Sequence, residues 1–513
     1  MAKASLERGA GILMPISALY GSYGIGTLGK SAYEFADFAA ESGYRYWQVL
    51  PVGPTSFGDS PYQSFSAFAG NPYFIDLEFL IEEGLLLKEE ADVAFFGQDE
   101  TDIDYAAIFQ NRFALLKLAY QRSKHKEQES YREFLEENAF WIEDYSFYMA
   151  LKFHFENRSW QEWDEGIKYR KKEAVAEYQK LLADEIDFWK FCQYKFRVQW
   201  NLLKKYVNAK GLKFIGDIPL YVAMDSSDVW VHKELFELDE DCEPIHIAGV
   251  PPDAFSDDGQ RWGNPLYRWD VMEARDFTWW RARMKANASL YDVIRIDHFI
   301  GIVNYWSIAA DCLTAIDGEW KKGPGEKLMQ AVLEVIGSAG IIAEDLGVLT
   351  KPVKNLIAKL GFPGMKIIEF GLDCAPDNDY LPHNYSTSNT VAYIGTHDNE
   401  TLVGFLNGCK KTELAKIKTY FGARTVGELP DKIILSLFAS VADVAIVQMQ
   451  DLLKLDNSAR TNLPSTVGCN WRWRVRKEQM ESIDTAYYRE LCRRYNRLDN
   501  HLEEMEPEKN KKD

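Results

Sequence analysis

The sequence predicts an α/β fold: a (β/α)8 TIM barrel with large, mainly helical insertions and loop excursions on the face where its strands end. Short, near-continuous apolar runs rich in β-branched and aromatic residues recur along the chain, and helical patterns follow them. Parallel strands buried on both faces and joined by helices read this way. The spacing agrees: 26 residues separate Glu344 from Phe370 and 28 separate Phe370 from Asp398. One unit of a barrel of about 250 residues takes roughly 30. Acidic residues also stand at the ends of several runs, where a barrel would bring them to one face.

In order, the runs are 11–17 (GILMPIS), 46–51 (YWQVLP), 212–219 (LKFIGDIP), 291–299 (YDVIRIDHF), 341–347 (IIAEDLG), 365–372 (MKIIEFGL) and 390–398 (TVAYIGTHD). They read as seven strands, with helical patterns such as 30–42 and 353–360 after them. From Pro51 to Asp217 the step is 166 residues, too long for one helix, so the helix-rich, strongly charged stretch 80–209 reads as an insertion. Residues 220–290 read as a second, loop-rich excursion, and the 47 residues from Asp297 to Glu344 as one unit plus an excursion. The apolar stretch 433–447, broken by Ser436, Ser440 and Asp443, reads as a buried helix. That leaves 462–467 for the eighth strand. All of 1–513 is assigned to a single catalytic barrel, with a tail at 503–513 of disordered composition.

Composition narrows the function. The net charge of −19 disfavours nucleic acid and anionic membrane surfaces as partners. No stretch of 18 uninterrupted apolar residues occurs, and the start lacks the apolar region of a signal peptide. Seven scattered cysteines without a CxxC read as reduced thiols. A soluble, cytoplasmic protein is expected. Eight histidines form no HxxxH pair, so no metal site is expected.

Asp217, Asp297, Glu344 and Asp398 end apolar runs. One such acid suits a helix N-cap; four point to a shared site in which crowding separates their pKa values. Arg295 lies two residues before Asp297, so both leave one face of the strand. A guanidinium there is expected to hold Asp297 ionised, as a nucleophile requires. Glu344, beside Ala343 and Leu346, lies in an apolar run expected to raise its pKa, as a general acid requires. Such a pair, about 5–5.5 Å apart, is the retaining-glycosidase arrangement.

Three of these segments, RIDHF (295–299), AEDLG (343–347) and GTHDNET (395–401), resemble the catalytic motifs of the 4-α-glucanotransferase (amylomaltase, disproportionating enzyme) family of the α-amylase clan. Residues 60–78, 216–222 and 249–269 resemble further family segments, and the likeness runs from about 9 to 474. It implies transfer of part of a (1→4)-α-D-glucan donor to the 4-hydroxyl of glucose or a maltooligosaccharide, through a covalent glucosyl-enzyme and without a cofactor. It further implies that Asp297 is the nucleophile and Glu344 the acid and then base. Asp398 would grip the hydroxyls of the distorted sugar, and His298 and His397 would hydrogen-bond it. Tyr62 would stack beneath it, with Asp217 and Arg295 completing the polar shell.

Segment 249–269 is a candidate lid, stiffened by Pro251 and Pro252 and free to turn at Gly259 and Gly263. Trp262 is expected to cover the site, keeping water from the glucosyl ester and so favouring transfer over hydrolysis. Three alternatives stand beside this reading: an α-glucan hydrolase of the same clan, a non-catalytic glucan-binding barrel, and a nucleotide-binding protein. The last rests on 24–31 (GIGTLGKS), which fits the P-loop pattern with Lys30 at the phosphates, although SALYGSY separates it from the preceding strand. One departure from the family is Ser465 after Pro464, where glycine is expected; Asn470, Trp471 and Arg472 match.

Overall fold

The computed structural model describes residues 6–252, 256–347 and 349–498. The expected lid is therefore described except for 253–255, and the expected tail at 503–513 lies outside the described residues. Its strands, in chain order, are β1 (Gly9–Leu13), β2 (Tyr46–Gln48), β3 (Lys213–Ile218), β4 (His246–Val250), β5 (Gln260–Pro265) and β6 (Val293–Ile296), then β7 (Asn304–Ala309), β8 (Gly318–Lys322), β9 (Gly340–Ala343), β10 (Gly364–Ile367), β11 (Thr390–Tyr393) and β12 (Val444–Gln448).

Eight of them form a parallel sheet in the order β10-β11-β12-β1-β2-β3-β6-β9. The Ala343 N–H donates to the Pro363 carbonyl at 3.0 Å, bridging β9 to the start of β10 and bringing the sheet round to a barrel. Alternation along each strand divides the residues. Tyr46, Ile215, Val293, Ile342, Val391 and Ile446 pack together inside, whereas Trp47, Phe214, Ile294 and Ala445 join the outer core beneath the helices. Burial on both sides is why the strands read as continuous apolar runs.

Two positions beyond the inner apolar layer, the same faces become polar: Gln48 follows Tyr46, Asp217 follows Ile215, Arg295 follows Val293 and Gln448 follows Ile446. Tyr393 joins this layer by donating to Gln48 Oε1 at 2.9 Å.

The seven expected runs overlap β1, β2, β3, β6, β9, β10 and β11. The eighth strand is β12, not 462–467, which is loop. The stretch 433–447 is not one helix. A helix ends at Ala439, Ser440 turns to extended backbone, and the chain re-enters the sheet at Val444. A fully buried strand has no alternation of polarity, so its residues merge in sequence with the apolar helix before it.

Between β2 and β3 the chain runs through helices including Tyr105–Arg122, Ile142–His154 and Ala183–Ala209. They brace the loop after β2: Gln193 both accepts from the Gly70 N–H and donates to its carbonyl, each at 2.8 Å. The excursions after β3 and β6 meet in a second, antiparallel sheet ordered β5-β4-β7-β8.

The glycine-rich segment 24–31 is no phosphate cradle. Gly29 caps the helix Lys30–Glu41, and a side chain at Gly29 would collide with the Asp76 carboxylate. That carboxylate accepts from Thr27 Oγ1 at 2.5 Å, so the space a phosphate would need is already filled by a negative group. The Lys30 side chain is 83% exposed and lies 3.8 Å from Glu34.

Candidate active site

Pairing of β3 with β6 sets Asp217 opposite Arg295, so an acid and a guanidinium that are far apart in sequence meet inside the barrel mouth. Arg295 Nη1 donates to both Asp217 oxygens, at 2.7 and 2.6 Å, and lies 3.0 Å from Asp297 Oδ1. Tyr62, from the braced loop after β2, donates its hydroxyl to Asp217 Oδ2 at 2.8 Å.

Asp297 and Glu344 are the next residues after Ile296 and Ala343, which face each other in the β6–β9 pairing. They leave adjacent strands at one height. The Glu344 N–H continues the ladder to the Ile296 carbonyl at 3.1 Å. Its carboxylate accepts the His298 N–H at 2.6 Å and the Leu346 N–H at 2.9 Å.

The backbone that allows this is unusual: His298 has φ +49°, in the left-handed region. Gly301 leaves room for the His298 ring, because a Cβ there would lie 2.8 Å from Cδ2. The Trp262 ring meets it edge-on at 4.8 Å. Across the mouth, His397 stacks on Tyr62 at 5.1 Å and 14°, and Trp471 flanks both rings at 5.8 and 5.9 Å. Asp398, 47% exposed, lies 3.3 Å from His397 Nε2 and accepts from Asn462 Nδ2 at 2.6 Å. Every residue expected at the site is thus in one connected cluster.

Burial pushes Asp297 well above the usual carboxylate range, with Asp217, Glu344 and Asp398 adding to it and Arg295 opposing. Burial also raises Glu344, against Arg295 and the two amides. The expected lowering of Asp297 is therefore not met. Its cation is shared, and Asp217 holds it more closely. Four carboxyls around one guanidinium leave a surplus of negative charge, and the site responds by keeping a proton. Burial lowers His298 to about 4 and lowers His397 as well, so both rings are neutral at pH 7. His298 Nε2 and His397 Nδ1 are buried without a hydrogen-bond partner.

Sequence reasoning missed Asn462 and Arg460 as partners of Asp398; the Arg460 side chain donates to its carbonyl at 2.7 Å. Asn462 falls in the stretch expected to be the eighth strand, which is loop. At the departure from the family, Ser465 has φ +65°, a conformation glycine adopts without cost. Asn470 holds that loop by accepting the Leu463 N–H at 3.0 Å and donating to the Thr466 carbonyl at 3.0 Å. No group of three or more His, Cys, Asp or Glu side chains is arranged to hold a metal among the described residues.

Comparison with known proteins agrees in sequence and in structure. Residues 14–480 match the family model described as 4-alpha-glucanotransferase. The 4-alpha-glucanotransferase of Clostridium butyricum is 47% identical over 487 residues, covering 94% of this chain and 98% of that protein. The Thermus thermophilus 4-alpha-glucanotransferase is 42% identical over 503 residues, covering 96% and 100%. Amylomaltase from Streptococcus agalactiae, solved in complex with acarbose, superposes with a TM-score of 0.93 at 43% identity, over 96% of this chain and 100% of that one. A barrel that gathers its acids at the ends of its strands, matched over nearly the whole chain, leaves one assignment: the chain belongs to the 4-alpha-glucanotransferase family.

Proposed function

We propose that this enzyme transfers a segment of a (1→4)-α-D-glucan to the 4-hydroxyl of glucose or a maltooligosaccharide by a retaining double displacement. The adjacency of Asp297 and Glu344, at the ends of paired strands and joined by the His298 N–H, carries the reading. Protonated Glu344 gives its proton to the glycosidic oxygen while the Asp297 carboxylate attacks C1. The C1–O bond breaks, and a glucosyl ester forms. Glu344, now a carboxylate, takes the proton of the acceptor 4-hydroxyl, whose oxygen attacks C1 and frees Asp297. Each step conserves protons and needs no further reactant.

The surplus of carboxyls keeps a proton in the site, and Arg295 opposes that proton on Asp297. Asp398 grips the hydroxyls of the sugar, and neutral His298 and His397 each offer a free ring nitrogen. Tyr62, stacked on His397, forms the platform. Trp262 stands over His298 on the lid segment, whose Asp258 carbonyl accepts the Ala315 N–H at 2.9 Å. A covered ester favours a sugar acceptor over water. The acarbose complex of the S. agalactiae relative supports an oligosaccharide ligand.

No helix among the described residues is long and apolar enough to cross a membrane, and the charge of −19 disfavours nucleic acid; work on cytoplasmic glucan fits both. Maltotriose alone should yield glucose plus longer maltooligosaccharides. Asp297→Asn and Glu344→Gln should each lower kcat by several orders of magnitude with the fold intact. Reducing sugar released without chain lengthening would make the enzyme a hydrolase, and near-normal turnover by either variant would overturn the roles.

A further inference from the structure

The residues beyond β11 carry two of the sugar-facing groups, His397 and Asp398, on a turn with no regular secondary structure to hold it. Arg460 and Asn462 hold its Asp398 end, and the Asn399 side chain closes it from within. Asn399 Oδ1 accepts both the Thr396 N–H at 2.9 Å and the Thr396 hydroxyl at 3.0 Å, and its own N–H donates to the Thr396 carbonyl at 3.1 Å. The other end of the same amide is anchored outside the turn: Asn399 Nδ2 donates to Glu369 Oε1 at 3.0 Å. Glu369 follows β10, and its own N–H extends the barrel ladder to the Ile394 carbonyl at 3.0 Å.

Glu369 is thus fixed to the barrel by its backbone and to the turn by its carboxyl. The packing is close. A Cβ on Gly395 would lie 3.3 Å from Glu369 Oε2, 3.2 Å from Gln448 Nε2 and 3.0 Å from Asn399 Cβ. Glycine there lets the three side chains converge on the backbone of the turn. Further along, Asn457 accepts the Thr401 N–H at 3.2 Å and Asp451 the Leu402 N–H at 2.8 Å, so the anchoring continues into the helix that follows.

We propose that Glu369 is a positioning residue for glucan transfer: through Asn399 it sets the turn that presents His397 and Asp398 to the sugar. This rests on the reading of those two residues as sugar-gripping groups. Glu369 touches no reacting atom and acts only through the amide, so its loss should appear in kcat, where the distorted sugar is held, more than in KM.

The test uses the full-length enzyme with maltotriose. At pH 9, where Glu369 has lost its proton, Asn399→Asp keeps the oxygen that closes the turn but sets a carboxylate against a carboxylate, and should lower kcat at least tenfold with KM changed less than threefold. Adding Glu369→Gln restores a donor opposite an acceptor and should return at least fivefold of that loss, whereas Glu369→Gln alone should cost less than Glu369→Leu. Glu369→Leu and Asn399→Ala should give similar losses that do not multiply when combined. Failure of Glu369→Gln to rescue Asn399→Asp, or multiplicative losses in the combined variant, would overturn the proposal. Should Glu369→Leu not fold, the rescue pair alone decides. Asp398→Asn is measured alongside: wild-type kcat there would remove the underlying role of Asp398. An inactive Asp398→Asn with unaffected Glu369 variants would remove only the role of Glu369.

Discussion

Replacing Arg295 with methionine removes a positive charge that touches Asp217 at 2.6 Å and Asp297 at 3.0 Å. At that second distance, with an effective dielectric of about 20, a unit charge pair is worth about 5 kcal/mol. Asp297 is 28% exposed, and solvent screening brings the figure to about 3 kcal/mol. Loss of that attraction favours the protonated carboxyl, which cannot attack C1, so the ionised nucleophile becomes scarcer on the order of 100-fold. Asp217, with its side chain fully buried, is left beside an apolar methionine; breaking such a pair costs about 3–5 kcal/mol, part of which a bound proton recovers. Glucose release from maltotriose between pH 4.5 and 9, with Tm recorded on the same samples, reads both effects. The expected result is a kcat near pH 6 lowered on the order of 100-fold, with the acid limb of the profile moved to higher pH. Arg295→Lys should recover part of the rate, because one nitrogen, Nη1, makes the contacts to both acids. A folded Arg295→Met enzyme with kcat within threefold of wild type and an unmoved acid limb would refute this electrostatic account.

Gly301→Ala should turn the His298 ring, since the new Cβ would also lie 2.5 Å from Leu220 Cδ2; kcat/KM should fall about tenfold, more than a small loss of Tm explains. Ser465→Gly relieves a left-handed residue at φ +65° and should stabilise the protein by about 0.5–1 kcal/mol in urea unfolding, with kcat unchanged. Burial pushes Asp451 up to about 7, against the N–H it accepts from Leu402, and pushes Glu369 up to about 8. Both acids bind protons more tightly folded than unfolded, so the stability they contribute is complete below about pH 4 and is lost as pH rises through 7–8. Tm should therefore fall between pH 5.5 and 8.5, and Asp451→Asn, which keeps the acceptor for Leu402, should flatten that fall.

Much of the barrel was legible because its signals are local. A strand buried on both faces is a continuous apolar run, and an acid ending it stands out against that background. β12 escaped notice for the same reason: VAIVQ follows an apolar helix, and hydrophobicity alone does not mark where one ends and the other begins. Gln48 and Gln448 carried a usable signal, each two residues beyond an inward-facing apolar neighbour. The partners of the acids that lie far away in sequence carried none. Tyr62 and Asp217 are 155 residues apart, and Asp398 and Asn462 are 64 apart.

The sequence by itself determined seven of the eight barrel strands, the order in which they follow one another, and the acids that end them, because these depend on side-chain polarity at neighbouring positions. The family resemblance marked Ser465 as a departure from glycine, and its backbone is left-handed, at φ +65°. Only the tertiary structure decided how charge is shared. Register between β3 and β6 places Asp217 opposite Arg295, so the guanidinium expected to serve Asp297 is divided between two carboxylates. Coulomb energies depend on distances through space, and strands far apart along the chain set those distances only when the barrel closes.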